Sequence, residues 1–288
     1  MDYILTTDGL FKSYGKNEVL KDVSIKVPKG SIFGLIGKNG AGKTTLMRII
    51  TGLQVQNKGT VDITCPLIGA LIDTPAYYRN LNAYENLKIQ FINLGLTSYE
   101  DISEIIDLVG LDIAGKKPVR SYSMGMRQRL GLGIAMCGNP DLIILDEPIN
   151  GLDPQGIVLI RELILKINKE RGTTFIISSH LLDELAKIAT DFSFIDNGKI
   201  IKQISADEMH NKSGNKIHAK VSNAESLCKT LDDNDITYEI TGNNELTIEG
   251  DITLSSLSNL AAETGCELIE FNHVDTSLEG YFINLLEG

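Results

Sequence analysis

The stretch Ile32-Phe33-Gly34-Leu35-Ile36-Gly37-Lys38-Asn39-Gly40-Ala41-Gly42-Lys43-Thr44-Thr45 passes from an unbroken apolar run into a glycine-rich loop, and a helical pattern follows over Thr44–Leu53. A short apolar run of this kind predicts a strand buried on both faces. Gly37 to Thr45 satisfies G-x-x-x-x-G-K-[ST] between that strand and the helix. The glycines Gly37, Gly40 and Gly42 let successive backbone N–H groups, with those of Lys38, Asn39 and Ala41, turn toward a phosphate chain. The helix N-terminus adds partial positive charge. Lys43 can reach β- and γ-phosphates, the Thr44 hydroxyl can ligate Mg²⁺, and Thr45 supplies a second hydroxyl near the α-phosphate.

Downstream, Leu142-Ile143-Ile144-Leu145-Asp146-Glu147-Pro148 is an apolar strand ending in two carboxylates. Alone this is an ordinary strand and acidic turn. After a phosphate loop in one α/β domain, Asp146 becomes a candidate to hold Mg²⁺ and Glu147 to polarise an attacking water. Between the two stretches, residues 82–138 carry helical spacing, with amphipathic segments opening at Leu81, running over Asp101–Val109 and over Gly125–Cys137. Strand and helix then alternate: Leu142–Leu145, Pro154–Glu170, Thr174–Ile177 and Leu181–Ala189. That order predicts a mainly parallel sheet interrupted by a helical insertion. Upstream, Ile4–Phe11 and Val19–Val27 read as strands, as does Leu67–Ile72, and Phe192–Ile201 reads as a hairpin through Asn197-Gly198.

Composition shifts after Ser205. Residues 1–204 form the expected nucleotide-binding domain, 205–215 a linker and 216–288 a small accessory domain. The accessory segment reads strand, helix, strand, strand, helix, strand, which predicts a ferredoxin-like α+β unit. The 288 residues carry 27 basic and 38 acidic side chains, a formal charge of −11. From Ser205 onward there are 16 acidic and four basic residues, while the preceding part holds 22 and 23. The excess therefore belongs to the tail, where a solvated acidic face competes with partner contact. An acidic balance argues against nucleic-acid binding. No run approaches the roughly 18–20 apolar residues of a membrane span. The acidic N-terminus Met1-Asp2-Tyr3-Ile4 lacks the features of a signal peptide. Cys65, Cys137, Cys228 and Cys266 are scattered, which suits reduced, mostly buried thiols.

Tyr122-Ser123-Met124-Gly125-Met126 precedes the third helix of the insertion, and with the phosphate loop and Asp146-Glu147 it gives residues 2–204 their likeness. The chain resembles the ATP-binding subunit of an ABC transporter. The resemblance implies that Ser123 and Gly125, retained from a Leu-Ser-Gly-Gly-Gln type signature, bind the γ-phosphate of ATP held by a second subunit. It places Tyr14 as the aromatic that stacks on adenine. Asn150-Gly151-Leu152-Asp153 is similar to the loop whose aspartate, Asp153, links two nucleotide sites across a dimer, and His180 to a histidine that contacts the γ-phosphate. Asp73 stands where the family carries a glutamine that senses Mg²⁺ and the attacking water. It is shorter by one methylene and brings a negative charge beside the metal. That carboxylate, with Pro75–Leu87 and Ser277–Phe282, resembles a subgroup of bacterial ABC proteins that protect against bacitracin or lantibiotic peptides.

The resemblance implies ATP and Mg²⁺ as cofactors, catalysis by Lys43, Glu147 and His180, and metal contacts at Thr44, Asp146 and Asp73. It further implies a homodimer that sandwiches two ATP molecules. Separate permease subunits would dock around Asp73 to Asn86 and provide the chain's contact with the membrane, at the cytoplasmic face. Two rival readings stay open: a soluble ABC ATPase of DNA repair or the ribosome, and an ATP-sensing module with feeble hydrolysis.

Overall fold

The computed structural model describes residues 2–73, 76–212, 216–250, 252–273, 278, 280, 281 and 285. It divides into two compact units, Met1–Ala206 and Asp207–Gly288.

The first unit opens with β1 (Tyr3–Tyr14), β2 (Asn17–Val23), β3 (Lys26–Pro28) and β4 (Ile32–Ile36), followed by α1 (Lys43–Ile50), β5 (Lys58–Ile63) and β6 (Ile68–Leu71). The helices α2 (Ala83–Asn93), α3 (Asp101–Leu108) and α4 (Met124–Ala135) come next. Then follow β7 (Leu142–Asp146), α5 (Pro154–Arg171), β8 (Thr174–Ser179), α6 (Leu182–Ala186), β9 (Asp191–Asp196) and β10 (Lys199–Ser205).

A six-stranded sheet in the order β10-β9-β4-β8-β7-β6 organises the unit. Its strands are parallel except β10, which returns antiparallel to β9 through the expected Asn197-Gly198 turn. Every residue of β4, β7 and β8 is buried, as strands covered on both faces require. A second, antiparallel sheet joins β1 to β2, β3 and β5. The main apolar core lies between the two sheets, where Leu5, Leu20 and Val27 meet Phe33, Leu35 and Ile144 with Leu46 and Met47 of α1. The run Val19–Val27, expected as one strand, is broken at Ser24-Ile25 into β2 and β3. Strand β5 adds an element that the apolar pattern does not announce. Its residues run from exposed to half-buried, as suits an edge strand.

The helical insertion is built from local rules. Asn82 caps α2 and forms a reciprocal capping box with Glu85. Buried Asn86 bonds both backbone groups of Tyr78 and so pins the turn before the helix. Arg129 of α4 donates to the carbonyls of Val109 and Gly110, closing the C-terminus of α3. Gly69 of β6 lets α4 approach closely, since a Cβ there would lie 1.9 Å from the Ala135 carbonyl oxygen. Helix α6 is shorter than the expected Leu181–Ala189, with the Leu181 N–H turned back to the Ser179 hydroxyl.

Within the expected linker 205–215, Ala206–Lys212 forms helix α7, and Ser213 to Asn215 lie outside the described residues. The second unit contains β11 (Lys216–Val221), α8 (Ala224–Asp233), β12 (Tyr238–Gly242), β13 (Glu245–Glu249), α9 (Leu254–Glu263) and β14 (Leu268–His273). Its antiparallel sheet has the order β12-β13-β11-β14, the ferredoxin-like arrangement. Leu227, Leu231, Leu246, Ile248 and Leu257 fill its core. Of the segment Ser277–Phe282, Ser277, Glu279 and Phe282 lie outside the described residues. Three of the four free cysteines are buried, and Cys65 is half-buried. Among the described residues, no helix is long and apolar enough to cross a membrane.

Candidate functional site

The site is assembled at the carboxyl ends of β4, β6, β7 and β8, where an open parallel sheet leaves a crevice. Gly37–Gly42 turns from β4 into α1, and two glycines there are obligatory. A Cβ on Gly37 would lie 2.3 Å from the carbonyl oxygen of Ile195, and Gly42 holds φ at 109° just before the helix. The loop is thereby pressed against β2 and β9 while its N–H groups stay available to an anion.

Lys43 is 6% exposed and curls over this loop, its Nζ donating to the Gly37 carbonyl at 2.6 Å and the Lys38 carbonyl at 3.3 Å. The same ammonium lies 3.6 Å from Glu147 Oε1. Thr44 donates its hydroxyl to Asp146 Oδ2 at 2.7 Å. Ser178 donates to Asp146 Oδ1 at 2.5 Å, and its hydroxyl also accepts the Glu147 N–H at 2.9 Å. A buried carboxylate is tolerated only when its oxygens are bonded, and here both are. Glu147 adopts a left-handed backbone, φ 49°, directly after β7. His180 Nδ1 lies 2.7 Å from its Oε2. The Thr44 hydroxyl and Asp146 carboxylate form the oxygen pair that a hard divalent cation such as Mg²⁺ takes.

Three hollows hold most of the expected site residues, and His180 lines none of them. The first, about 380 Å³, is lined by Asn39, Gly40, Gly42, Lys43, Thr44, Thr45 and Glu147, with Asn17 and Val19 of β2. The second, about 660 Å³, joins Thr44, Asp73, Asp146 and Glu147 to Met124, Arg127 and Gln128 of α4. The third, about 300 Å³, contains Ser123, Gly125, Gly151 and Asp153. Thr44 and Glu147 border both of the first two, whereas the third shares no residue with the phosphate loop. Ser123 caps α4 by accepting the Met126 N–H, and Asp153 caps α5 by accepting that of Gly156.

Tyr14 stands apart from the first hollow. The residue is 44% exposed, its hydroxyl donates to Gln54, and the Lys12 ammonium lies 5.4 Å from its ring centroid. Asp73, also left-handed at φ 60°, is ion-paired with Arg48 of α1. That hydrogen bond is the main reason the Arg48 guanidinium is pushed above its ordinary pKa. Ser178, Arg48 and Gln54 are the site neighbours that sequence reasoning missed. Ser178 alone had a signal, a hydroxyl two residues before His180 at the end of an apolar strand.

The comparisons agree with this architecture. The ABC transporter family model matches residues 20–150. The bacitracin transport ATP-binding protein BcrA of Enterococcus faecalis is 35% identical over 100% of this chain and 98% of its own length. The lantibiotic transport ATP-binding protein SrtF of Streptococcus pyogenes is 42% identical over 72% of this chain and 93% of its own. A solved ATP-binding cassette of an ABC transporter, in its ADP conformation, superposes with a TM-score of 0.65 at 26% identity. It covers 72% of this chain and 93% of that one. The chain belongs to the ABC transporter family as an ATP-binding subunit, whose characteristic activity is ATP hydrolysis.

Proposed function

We propose that the chain hydrolyses ATP at the Lys43–Glu147–His180 cluster and so drives export of a peptide antibiotic of the bacitracin or lantibiotic kind. Export would run through separate permease subunits, with this chain at the cytoplasmic face of the membrane. The observation that carries the chemistry is the chain of contacts from Lys43 through Glu147 to His180, closed at the base by Ser178. The likeness to a bacitracin transport ATP-binding protein over the whole of this chain supports the substrate class.

In this reading the N–H groups of Gly37–Thr45 cradle the triphosphate, and Lys43 moves from the loop carbonyls onto the β- and γ-phosphates. What Mg²⁺ supplies when held by Thr44 and Asp146 is neutralisation of charge on those phosphates. Glu147 orients the attacking water, and His180 fixes the carboxylate while reaching toward the γ-phosphate. Ser178 keeps Asp146 and the Glu147 backbone in register. Tyr14 must leave Gln54 to stack on adenine.

Ser123 and Gly125 lie in a hollow separate from the phosphate loop of their own chain. That separation supports a dimer, in which they close over ATP held by a second copy and Asp153 links the two sites. The surface around Asp73 and Tyr77–Asn86 would receive the permease.

The test is peptide resistance in cells expressing the chain with its permease. Wild type should raise tolerance to bacitracin or a lantibiotic, and Glu147→Gln should abolish the gain. Equal resistance from both chains would overturn the hydrolytic reading. No resistance with an intact ATPase would overturn the substrate class.

A further inference from the structure

Asp73, Asp146 and Glu147 border one cleft of about 660 Å³ beside the phosphate loop. Three carboxylates there oppose a polyanionic ligand, so each needs a partner that cancels or disperses its charge. Asp146 has the hydroxyls of Thr44 and Ser178, and Glu147 has Lys43 and His180. Asp73 has Arg48.

The pairing follows from the fold. Strands β6 and β7 are parallel neighbours with Leu71 level with Leu145, so Asp73, two residues past that pair, follows β6 one residue further on than Asp146, the last residue of β7. Thr44 and Arg48 are four residues apart on α1 and share one helix face. That face meets the two strand exits in order, Thr44 at Asp146 and Arg48 at Asp73. Arg48 is 39% exposed and Asp73 52%, and a pair so open to water contributes little to stability. Its consequence lies in the potential felt in the cleft.

We propose that Arg48 is a positioning residue of the nucleotide site: it orients Asp73 against α1 and cancels its charge, which allows a carboxylate at the β6 exit beside a triphosphate. Without Arg48 the naked carboxylate repels the ligand; without both side chains the repulsion disappears. The inference rests on assigning the triphosphate to the phosphate loop, which this cleft adjoins through Thr44 and Glu147.

The test is metal-free titration of the full-length chain with a fluorescent ATP analogue in EDTA, for Arg48→Gln, Asp73→Asn, the double variant, Arg48→Lys and Lys43→Ala. Arg48→Gln should weaken binding about three- to tenfold, and less at high salt. Asp73→Asn should bind at least as tightly as wild type, the double variant should recover wild-type affinity to within about twofold, and Arg48→Lys should retain most of it. Unfolding midpoints establish that every variant is folded. Turnover should show the Arg48→Gln effect in KM rather than kcat.

Wild-type affinity in Arg48→Gln overturns the inference. So does equal weakening in the double variant, since Arg48 would then act without Asp73. Lys43→Ala separates this from the site assignment. If it binds like wild type, the phosphate loop is not the triphosphate site. If it loses binding while Arg48→Gln does not, the role of Arg48 alone fails.

Discussion

In the six-stranded sheet, apolar strands end in Asp146, Ser178 and Ser179, all buried and all hydrogen-bonded; in the four-stranded sheet of the acidic unit, the buried side chains among the described residues are apolar or cysteine. The difference lies in where each unit puts its charge. The first buries a carboxylate at a cost and recovers it through two hydroxyl partners, leaving Asp146 and Glu147 at the mouth of a crevice. The second keeps its acidic residues off the core, with Lys220, Glu245 and His218 paired across the solvent face of β11 and β13. Buried polar groups on strand ends mark chemistry, and a surplus of exposed charge does not. The net charge of −11 is therefore a poor guide to the nucleotide site.

The sharpest way to break that comparison is Glu147→Gln. Removing the carboxylate that would orient water, while keeping its shape, should lower ATP turnover by at least about 100-fold. Nucleotide affinity should stay near wild type. Phosphate release and a binding titration measure the two effects, and turnover that survives would remove Glu147 from the chemistry. His180→Ala should cost less, about tenfold to 100-fold, because it removes the group that holds Glu147 and reaches toward the γ-phosphate but leaves the carboxylate in place.

Ser178→Ala comes next. It withdraws the donor to Asp146 Oδ1, while the Glu147 N–H keeps the Ser178 carbonyl at 3.2 Å. Leaving that buried carboxylate oxygen unpaired costs about 1–3 kcal/mol. The unfolding midpoint of the first unit should fall by several degrees, and turnover should drop with it. An unchanged midpoint would mean that water replaces the hydroxyl and that the strand ends are less dry than their burial suggests.

Glu147 and Ser178 also divide what the sequence makes legible from what it does not. The phosphate loop was readable because its requirements are contiguous: glycines at fixed offsets, Lys43, a hydroxyl, and an apolar strand on one side. Glu147 was readable because it follows an apolar strand at once. Ser178 depends on β8 lying beside β7, with Asp146 level with it in the register. Arg48 depends on which strand exits under the second turn of α1. The partnership of Tyr14 with Gln54 depends on β1 passing the end of the same helix. Strand order fixes all three, and no local pattern encodes it. Strand β5 is hard to read from sequence for another reason. Its alternation of Val61 and Ile63 with Thr60 and Asp62 is short, glycine-flanked and partly exposed, so the apolar signal is weak. For the six elements from β11 to β14, by contrast, periodicity and turn residues sufficed, whereas α7 lies in a stretch whose composition reads as a linker.

A smaller effect probes the scaffold behind His180. Glu184 of α6 is bonded by Lys187 and lies 2.6 Å from Arg161 of α5, and these cations hold its carboxyl below the ordinary glutamate range. A depressed carboxyl contributes stability that is full at neutral pH and fades as pH falls through the folded value. Glu184→Gln should therefore lower the midpoint modestly at neutral pH and flatten the acid limb of the stability profile. Thermal unfolding measured from neutral into acidic buffer would show whether the two curves converge. If they stay parallel, the pair between α5 and α6 is not what titrates.

The smallest expected effect bears on the acidic unit. Lys220 donates to Glu245 at 2.9 Å, and His218 lies 3.8 Å from the same carboxylate. Lys220 is raised and Glu245 lowered from their ordinary values, chiefly by their mutual hydrogen bond. Both groups nevertheless face water, where such a pair is screened and costs side-chain entropy to hold. Lys220→Gln combined with Glu245→Gln should leave the unfolding midpoint and ATP turnover of the purified chain unchanged. The informative comparison is the same double variant assembled with its permease. If that face is only solvated, activity in the assembly is also unchanged. If activity falls there while the free chain stays normal, the charges on β11 and β13 meet a partner, and the distinction between a catalytic unit and an inert acidic one no longer holds.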